Sequence, residues 1–315
     1  MSLLYIIGGF YTFCAIIWAF DRICKIPFDL KEKGRIEQLE KETQKREVFL
    51  ASEQKRFEEL YSQAKLQLQT MTTREVIVQF FNIDSIRTVV SSRPLNDEER
   101  ATAQRFHLKF NEYKIAIDAI AVIVNSKNSI THLRTTQLDS VLRGVTTRWN
   151  MLGWKNTFAS ISVCLPDQNA GEFEVLSEKI LHGEKVSTAA NVSHSSTDML
   201  EYVSSHSDAL GFVSLSWLRG YADKVKVLEL SDPSAPESLD IKGKYFTPHQ
   251  AYVYRGYYSL TSDVYVYTRT DLYSVGAGFI TYITSAPGQQ IVLNSGLVPA
   301  TMPVRLVELT SRNLK

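Results

Sequence analysis

An uncharged run near the start of the chain limits the possible folds more than any other feature. LLYIIGGFYTFCAIIWAF, at positions 3–20, has no charged side chain over 18 residues. A membrane-spanning helix needs about 20 mainly apolar residues, whereas a signal peptide usually has a shorter apolar run behind a basic start. No Lys or Arg precedes this run. The sequence therefore predicts an uncleaved transmembrane helix over residues 3–20, with a cleaved signal peptide as the alternative.

The segment that follows has the composition of a long helix. Residues 28–65 are rich in Glu, Lys, Gln and Leu and contain no Pro. With Ile36 as heptad position a, six of the nine a and d positions through Ala64 are apolar. This broken heptad predicts a helical stalk with some coiled-coil character. The alternative is a solvated stalk whose last turns pack on the globular domain.

From residue 66 to residue 315, strand-like apolar runs alternate with helical patterns, which is typical of an α/β fold. Two of the strand-like runs are long, YKIAIDAIAVIVN at 113–125 and ALGFVSLSWL at 209–218. The Tyr-rich stretch 251–269 predicts two further strands around a turn.

Composition excludes several classes of function. Lys+Arg is 35 and Asp+Glu is 34, so no strong positive field attracts nucleic acid. The three Cys are too scattered for a disulfide framework or a zinc site. The six His residues have no metal-ligand spacing. We therefore expect no metal, no cofactor and no enzymatic activity.

An ordered set of motifs carries a family resemblance over residues 70–310. The motifs are SSRPLNDEE (91–99), IAIDAIAVIVN (115–125), RGVTTRW (143–149), DQNAGE (167–172), ALGFVSLSWL (209–218), YYSLTSDVYVYT (257–268) and the segment 276–309. This set resembles the phosphate-binding, PstS-type substrate-binding proteins of ABC transporters. The resemblance implies a two-lobed periplasmic-binding-protein fold with an anion site at the hinge. Lobe 1 would comprise about 66–118 plus 213–315, and lobe 2 about 119–212.

The resemblance also bears on topology. Five basic residues lie between positions 22 and 35 and none precedes the apolar run, so the positive-inside rule would keep the C-terminal side in the cytoplasm. Proteins of the family that this chain resembles function outside the cytoplasm, and we give this more weight than the positive-inside rule. We therefore expect a single-pass inner-membrane protein with its C-terminal domain in the periplasm.

The resemblance places candidate anion-binding residues in two groups on the lobe 1 side. Thr72 and Thr73 precede a predicted helix, where they could bind an anion or act as plain N-caps. Ser91, Ser92 and Arg93 match the family and could face the cleft. Arg93 could instead pair with Asp97 or Glu98.

The turn that opens the lobe 2 helix departs from the family pattern. The family usually has Ser-Gly-Thr there, whereas this chain has Ala170, Gly171 and Glu172. A bound anion 4 Å from the Glu172 carboxylate would meet a repulsion of about 4 kcal/mol per charge pair at an effective dielectric near 20. The pattern predicts a former anion site filled by its own side chain. The alternative is that Glu172 points to solvent.

These observations lead to two functional hypotheses. The first is a membrane-tethered periplasmic scaffold or sensor subunit that has lost anion binding. It would join a membrane protein complex through residues 3–20 and the stalk, and the resemblance suggests a TonB-linked energy-transducing motor as partner. The second is a working phosphate or oxyanion receptor of an ABC transporter.

Overall fold

The computed structural model describes residues 3–7, 50–154, 158–218, 221, 223–269 and 274–304. These residues form two lobes. Lobe 1 contains β1 (Leu3–Ile7), α1 (50–60), β2 (Gln67–Met71), α2 (Thr73–Asn82), β3 (Ile86–Ser91), α3 (Asp97–Arg105), the first part of β4 (Asn111–Asn125), β11 (Thr261–Thr268), α8 (Val275–Thr284), α9 (Ala286–Asn294) and β12 (Val298–Pro299). Lobe 2 contains the rest of β4, β5 (His132–Arg134), α4 (Thr135–Leu142), β6 (Ser162–Pro166), α5 (Gly171–Lys179), β7 (Ala190–Ser193), α6 (Ser196–Ser205), β8 (Ala209–Ser214), β9 (Val225–Val227), β10 (Glu229–Ser231) and α7 (Gln250–Tyr254). Short 3-10 turns cover Trp149–Leu152, Leu215–Trp217 and Glu237–Leu239.

A single mixed sheet runs through both lobes, in the order β2-β1-β3-β11-β4-β8-β6-β7. β12 and β9 also pair with β4, while β5 and β10 form a separate parallel pair. β4 connects the lobes, because its residues 111–119 pair with β11 and its residues 120–124 pair with β8. Every residue of β4 from Ala119 to Asn125 is buried, as expected for an apolar strand covered on both faces. The predicted two-lobed α/β fold is confirmed.

The second crossing between the lobes comes later than the expected boundary at residue 213. β9 pairs with the lobe 2 end of β4, and β10 pairs with β5. Leu228, Leu230 and Tyr258 pack in the same core as Leu133 and Leu138. Residues 223–260 therefore extend lobe 2, and the chain returns to lobe 1 at β11.

The first described residues are a strand rather than the start of a transmembrane helix. β1 lies between β2 and β3 and runs parallel to both. A short apolar run suits a buried parallel strand as well as a helix, and here the backbone pairs with neighbouring strands. The rest of the predicted span, residues 8–20, lies outside the described residues. Among the residues that the structure describes, no helix is long and apolar enough to cross a membrane.

The end of the predicted stalk packs on lobe 1. Leu50, Phe57 and Ala64 are buried in a core with Phe279 and Ile283 from α8. The rings of Phe57 and Phe279 lie 5.5 Å apart and edge to face. These contacts correspond to the alternative in which the last turns of the stalk pack on the domain, so the globular unit begins before residue 66. Residues 28–49 lie outside the described part of the chain.

The stretch 251–269 contains one strand instead of two. Residues 250–254 form α7, where the His249 ring nitrogen accepts a hydrogen bond from the Ala251 N–H at 3.2 Å. Gly256 follows this helix with a φ of +72°, a conformation that favours glycine. Tyr residues suit strands in general, but here the cap and the glycine define a helical turn before β11.

Candidate functional site

The carboxyl ends of two groups of parallel strands face each other where β4 crosses between the lobes. β1, β2 and β3 are parallel in lobe 1, and β6, β7 and β8 are parallel in lobe 2. Along β4, Asp118 lies opposite Ser262 of β11 and Ile120 lies opposite Ser214 of β8. Ligands of open α/β sheets bind outside the carboxyl ends of strands. We call this region the cleft edge.

The start of α2 supplies two threonines with different roles. The Thr72 hydroxyl accepts a hydrogen bond from the Glu75 N–H at 3.3 Å, which makes it the N-cap of the helix. Thr73 is buried, and its Oγ1 lies 3.0 Å from Ser92 Oγ. Thr72 therefore caps the helix, and Thr73 faces the neighbouring loop.

The two serines after β3 also differ. Ser91 is fully buried, and its hydroxyl donates to the Arg93 carbonyl at 2.5 Å and accepts from the Arg93 N–H at 3.3 Å. This arrangement is a local turn and leaves Ser91 out of the cleft edge. The Ser92 carbonyl accepts from the Ser262 hydroxyl at 2.6 Å, which fixes the backbone so that Ser92 Oγ meets Thr73.

Arg93 is engaged by acidic residues from both lobes. Its Nη1 and Nη2 donate to the two carboxylate oxygens of Glu99 at 2.7 and 2.8 Å, and Nη1 also donates to the Pro94 carbonyl at 2.8 Å. Its Nε forms an ion pair with Glu174 of α5. Burial opposes the charge of Arg93, but the Glu99 hydrogen bonds and the Glu174 charge more than offset it and raise its pKa. These contacts occupy most of the guanidinium donors.

The start of α5 completes the cleft edge. Ala170 is the N-cap residue but provides no side-chain cap. A Cβ on Gly171 would lie 2.5 Å from Ser92 Oγ and 3.5 Å from Thr73 Oγ1. A larger residue would therefore displace the Ser92 hydroxyl, and glycine lets α5 approach this closely while Ser92 keeps its contact with Thr73. The structure thus brings Thr73, Ser92 and Gly171 together, with the outward-pointing N–H groups of a helix start beside two hydroxyls.

Glu172, the second residue of α5, is buried with 6% of its surface exposed. The alternative in which it points to solvent is therefore wrong. A carboxylate in the first turn interacts favourably with the helix dipole. Its burial next to Gly171 places a negative group close to the cleft edge, and the idea that it fills the site stays a prediction.

Sequence reasoning missed polar residues that other strands bring to the same edge. Asp118 Oδ1 accepts from the Ser214 hydroxyl and from the Ala119 N–H, both at 2.8 Å. The start of α6 follows β7, and there Ser195 caps the helix while Ser196 is buried. An acidic residue inside the apolar run IAIDAIAV was the available signal for Asp118, because such a residue rarely lies in a buried strand without a role.

Other reactive groups do not form a site within the described residues. No group of His, Cys, Asp and Glu there has the arrangement of a metal site. Cys164 is buried, and burial raises the pKa of its thiol to about 12. A thiol with such a pKa is a poor nucleophile at neutral pH.

Comparison with known sequences identifies the family. The sequence pattern of the PBP superfamily domain matches residues 43–287, well over half of the chain. The chain belongs to the PBP superfamily. This PBP-superfamily chain is 25% identical over 190 residues to the phosphate-binding protein PstS of Staphylococcus saprophyticus, an alignment that covers 60% of this chain and 56% of that protein. The chain thus spans about half the length of the curated relatives it matches.

Solved structures show the same fold over almost the whole PBP-superfamily chain. An ABC-type phosphate transport receptor from Vibrio cholerae has a TM-score of 0.64 at 17% identity, and the alignment covers 95% of this chain and 100% of the receptor chain. PstS from Borrelia burgdorferi has a TM-score of 0.56 at 18% identity, with 95% and 99% covered. The resemblance to PstS-type proteins is confirmed.

Proposed function

We propose that this chain binds phosphate or a related oxyanion at the cleft edge and acts as the receptor of an ABC transporter. The observation that carries the proposal is the meeting of Thr73, Ser92 and Gly171 at the carboxyl ends of strands from both lobes. The relatives named phosphate-binding protein PstS and phosphate transport receptor support the same class of ligand. This class of protein is non-enzymatic.

The chemistry of the cleft edge suits an anion in most respects. A buried anion is very costly unless several donors replace its hydration shell. Thr73 and Ser92 share one hydrogen bond, which leaves the proton of the accepting hydroxyl free to donate to an anion. The start of α5 offers N–H groups and the positive end of its dipole. Arg93 is not available for direct hydrogen bonds to the anion, because it already contacts Glu99 and Glu174, and these two carboxylates offset its positive charge.

The receptor proposal places the domain in the periplasm. The predicted anchor at residues 3–20 conflicts with β1, which takes up residues 3–7, and the rest of that segment lies outside the described residues. The scaffold or sensor hypothesis, with a TonB-linked motor as partner, finds no support in the fold or in the relatives.

A second candidate function follows from Glu172. Because this carboxylate is buried beside Gly171, it could occupy the position that an oxyanion would take. The chain would then keep the fold of a receptor without its ligand.

Isothermal titration of the full chain with inorganic phosphate, and with sulfate for comparison, tests both candidates. We expect phosphate to bind, and Ser92→Ala to weaken binding by about 10- to 100-fold, since a hydrogen bond to a charged group contributes about 1.5–3 kcal/mol. Ser204→Ala is the control, because Ser204 lies near the far end of α6 and its hydroxyl donates to the Glu201 carbonyl of the same helix. If phosphate binds Glu172→Gln but not the wild type, the filled site is correct. If phosphate binds neither, the receptor proposal fails.

A further inference from the structure

One carboxylate joins the two lobes directly. Glu174 lies in the first turn of α5, which belongs to lobe 2. Its Oε2 forms an ion pair with Arg93 Nε, and its Oε1 accepts from Asn96 Nδ2 at 3.3 Å. Arg93 and Asn96 both belong to lobe 1, at the end of β3 and the N-cap of α3. The contact therefore crosses the cleft edge with protein groups alone.

The lobe 1 side of this contact is held rigidly. The side chain of Arg93 is 6% exposed and is fixed by Glu99 and by the Pro94 carbonyl. Asn96 accepts from the Glu99 N–H at 2.9 Å, and Glu99 in turn accepts from the Asn96 N–H, so the two form a capping box. A charge-assisted bond to such a fixed partner restricts position more than a bond between two mobile side chains.

The contact is close to the candidate anion site. Glu174 follows Gly171 by three residues on α5, so the two lie within one helical turn. A shift of α5 that separates Glu174 from Arg93 would also draw Gly171 away from Ser92. The other end of α5 is held more weakly, since the exposed Lys179 reaches the Ser259 carbonyl and Thr261 Oγ1 only at 3.4 and 3.5 Å.

We propose that Glu174 is a positioning residue that latches α5 of lobe 2 to Arg93 and Asn96 of lobe 1. The latch holds the start of α5 against Ser92 and Thr73, and so sets how readily the lobes close. Its effect on anion affinity rests on the proposed function, whereas the latch itself does not. When contacts within the protein already favour the closed arrangement, less of the ligand's binding free energy is used to close the lobes.

Hydrogen–deuterium exchange of the full chain tests the latch without a ligand. Glu174→Gln keeps the shape of the side chain and removes its charge. We expect amide exchange at residues 91–96 and 170–175 to rise about five-fold, the size expected for a partly exposed charge-assisted contact. Glu178→Gln is the matched control, because it makes the same charge change four residues later on the exposed face of α5. Equal exchange in the two variants would overturn the latch.

A second variant tests the same contact from lobe 1. Asn96→Asp retains the cap, since Asp is as good an N-cap as Asn, but it loses the Nδ2 donor and places a negative charge beside Glu174. We expect faster exchange in the same two segments, and no added effect when Asn96→Asp is combined with Glu174→Gln. If Asn96→Asp speeds exchange by the same factor in the Glu174→Gln protein as in the wild type, Asn96 acts independently of Glu174 and the proposed latch is wrong.

Titration with inorganic phosphate separates this inference from the proposed function. If both are correct, Glu174→Gln weakens phosphate binding by about the factor seen in exchange, and Glu178→Gln does not. Tighter binding by Glu174→Gln would mean that Glu174 competes with the ligand for Arg93, which would overturn the positioning role. If exchange responds as expected but phosphate binds none of the proteins, the latch stands and the receptor proposal fails.

Discussion

The cleft edge and the back of lobe 1 each bury a charged residue, and they accommodate it in opposite ways. At the cleft edge, Arg93 is 5% exposed and contacts Glu99, Glu174 and the Pro94 carbonyl. At the back of lobe 1, Glu53 of α1 is 0% exposed, and neither carboxylate oxygen has a hydrogen-bond partner among the described residues. Burial raises the pKa of Glu53 to about 9, whereas the partners of Arg93 raise the pKa of its guanidinium and keep it charged.

This contrast separates two uses of a buried ionisable group. A paired charge stays charged and fixes the position of its partners, which suits a region where two lobes must meet in register. An unpaired carboxyl instead takes up a proton, because its charged form is poorly solvated in the core. Nearby, burial and the charge of Glu53 raise the pKa of the Tyr282 hydroxyl. The first region gains rigidity, and the second gains a dependence on pH.

The largest expected effect is the loss of stability when the paired charge of Arg93 is removed from the cleft edge. Arg93→Ala removes the cation between two carboxylates and should lower the free energy of unfolding by about 3–5 kcal/mol, as breaking a buried ion pair does. Urea unfolding measures the change. Arg105→Ala, at an exposed position on α3, should change stability by less than about 0.5 kcal/mol. Similar losses in the two variants would remove the distinction between the regions.

The next effect concerns the unpaired region and has a defined sign. The pKa of Glu53 rises from 4.5 to about 9 on folding, so between these values the unfolded chain loses a proton that the folded chain keeps. Stability is therefore fully present below pH 4.5 and falls as pH rises toward 9. Glu53→Gln removes this dependence and should stabilise the protein by up to about 5 kcal/mol at pH 8, which is about 3.5 pH units above the unfolded value, and by little at pH 4.

Thermal unfolding across this pH range measures the difference between wild type and Glu53→Gln. Glu59→Gln, which changes an exposed carboxylate on the same helix, is the control and should follow the wild type. An equal gain in thermal stability for Glu53→Gln at pH 4 and at pH 8 would contradict the proposal that the Glu53 carboxyl is neutral in the folded protein.

The smallest effect sharpens the description of the cleft edge. Thr72 caps α2 by accepting a hydrogen bond from the Glu75 N–H. Thr72→Ala should cost about 1 kcal/mol of stability, and Thr72→Ser should recover it. Phosphate affinity should be unchanged in both variants, because the cap is distinct from the Thr73–Ser92 contact. A loss of affinity without a loss of stability would assign Thr72 to the anion site.

Much of the fold could be predicted from local patterns. The apolar run 113–125 became β4, the run 209–218 became β8 with a short 3-10 turn after it, and Thr72 capped the predicted helix. The run at positions 3–7 could not be assigned from sequence, because a short apolar segment fits a strand or a helix equally well. Its pairing with β2, more than 60 residues later, is a tertiary contact that periodicity does not contain.

The candidate site was predictable in its parts but not in its contacts. Family motifs named Ser92 and Gly171, and the structure brings them together. Arg93 does pair with acidic residues, but its partner on α3 is Glu99 and not Asp97 or Glu98, the two residues that the sequence suggested. Glu174 is separated from Arg93 by 81 positions (174 − 93) and by a lobe boundary. No spacing rule relates such residues, so their pairing emerged only from the fold.

β4 gives the two lobes a common backbone rather than a flexible joint. Its first nine residues belong to the sheet of one lobe and the next five to the sheet of the other. Rotation of one lobe against the other must therefore twist β4, whose hydrogen bonds to its neighbours resist large rotation angles. A twisted β4 also favours return of the lobes to their original angle. Unfolding of one lobe alone would leave the edges of β4 in that lobe without their partner strands. We therefore expect both lobes to unfold together as a single cooperative unit.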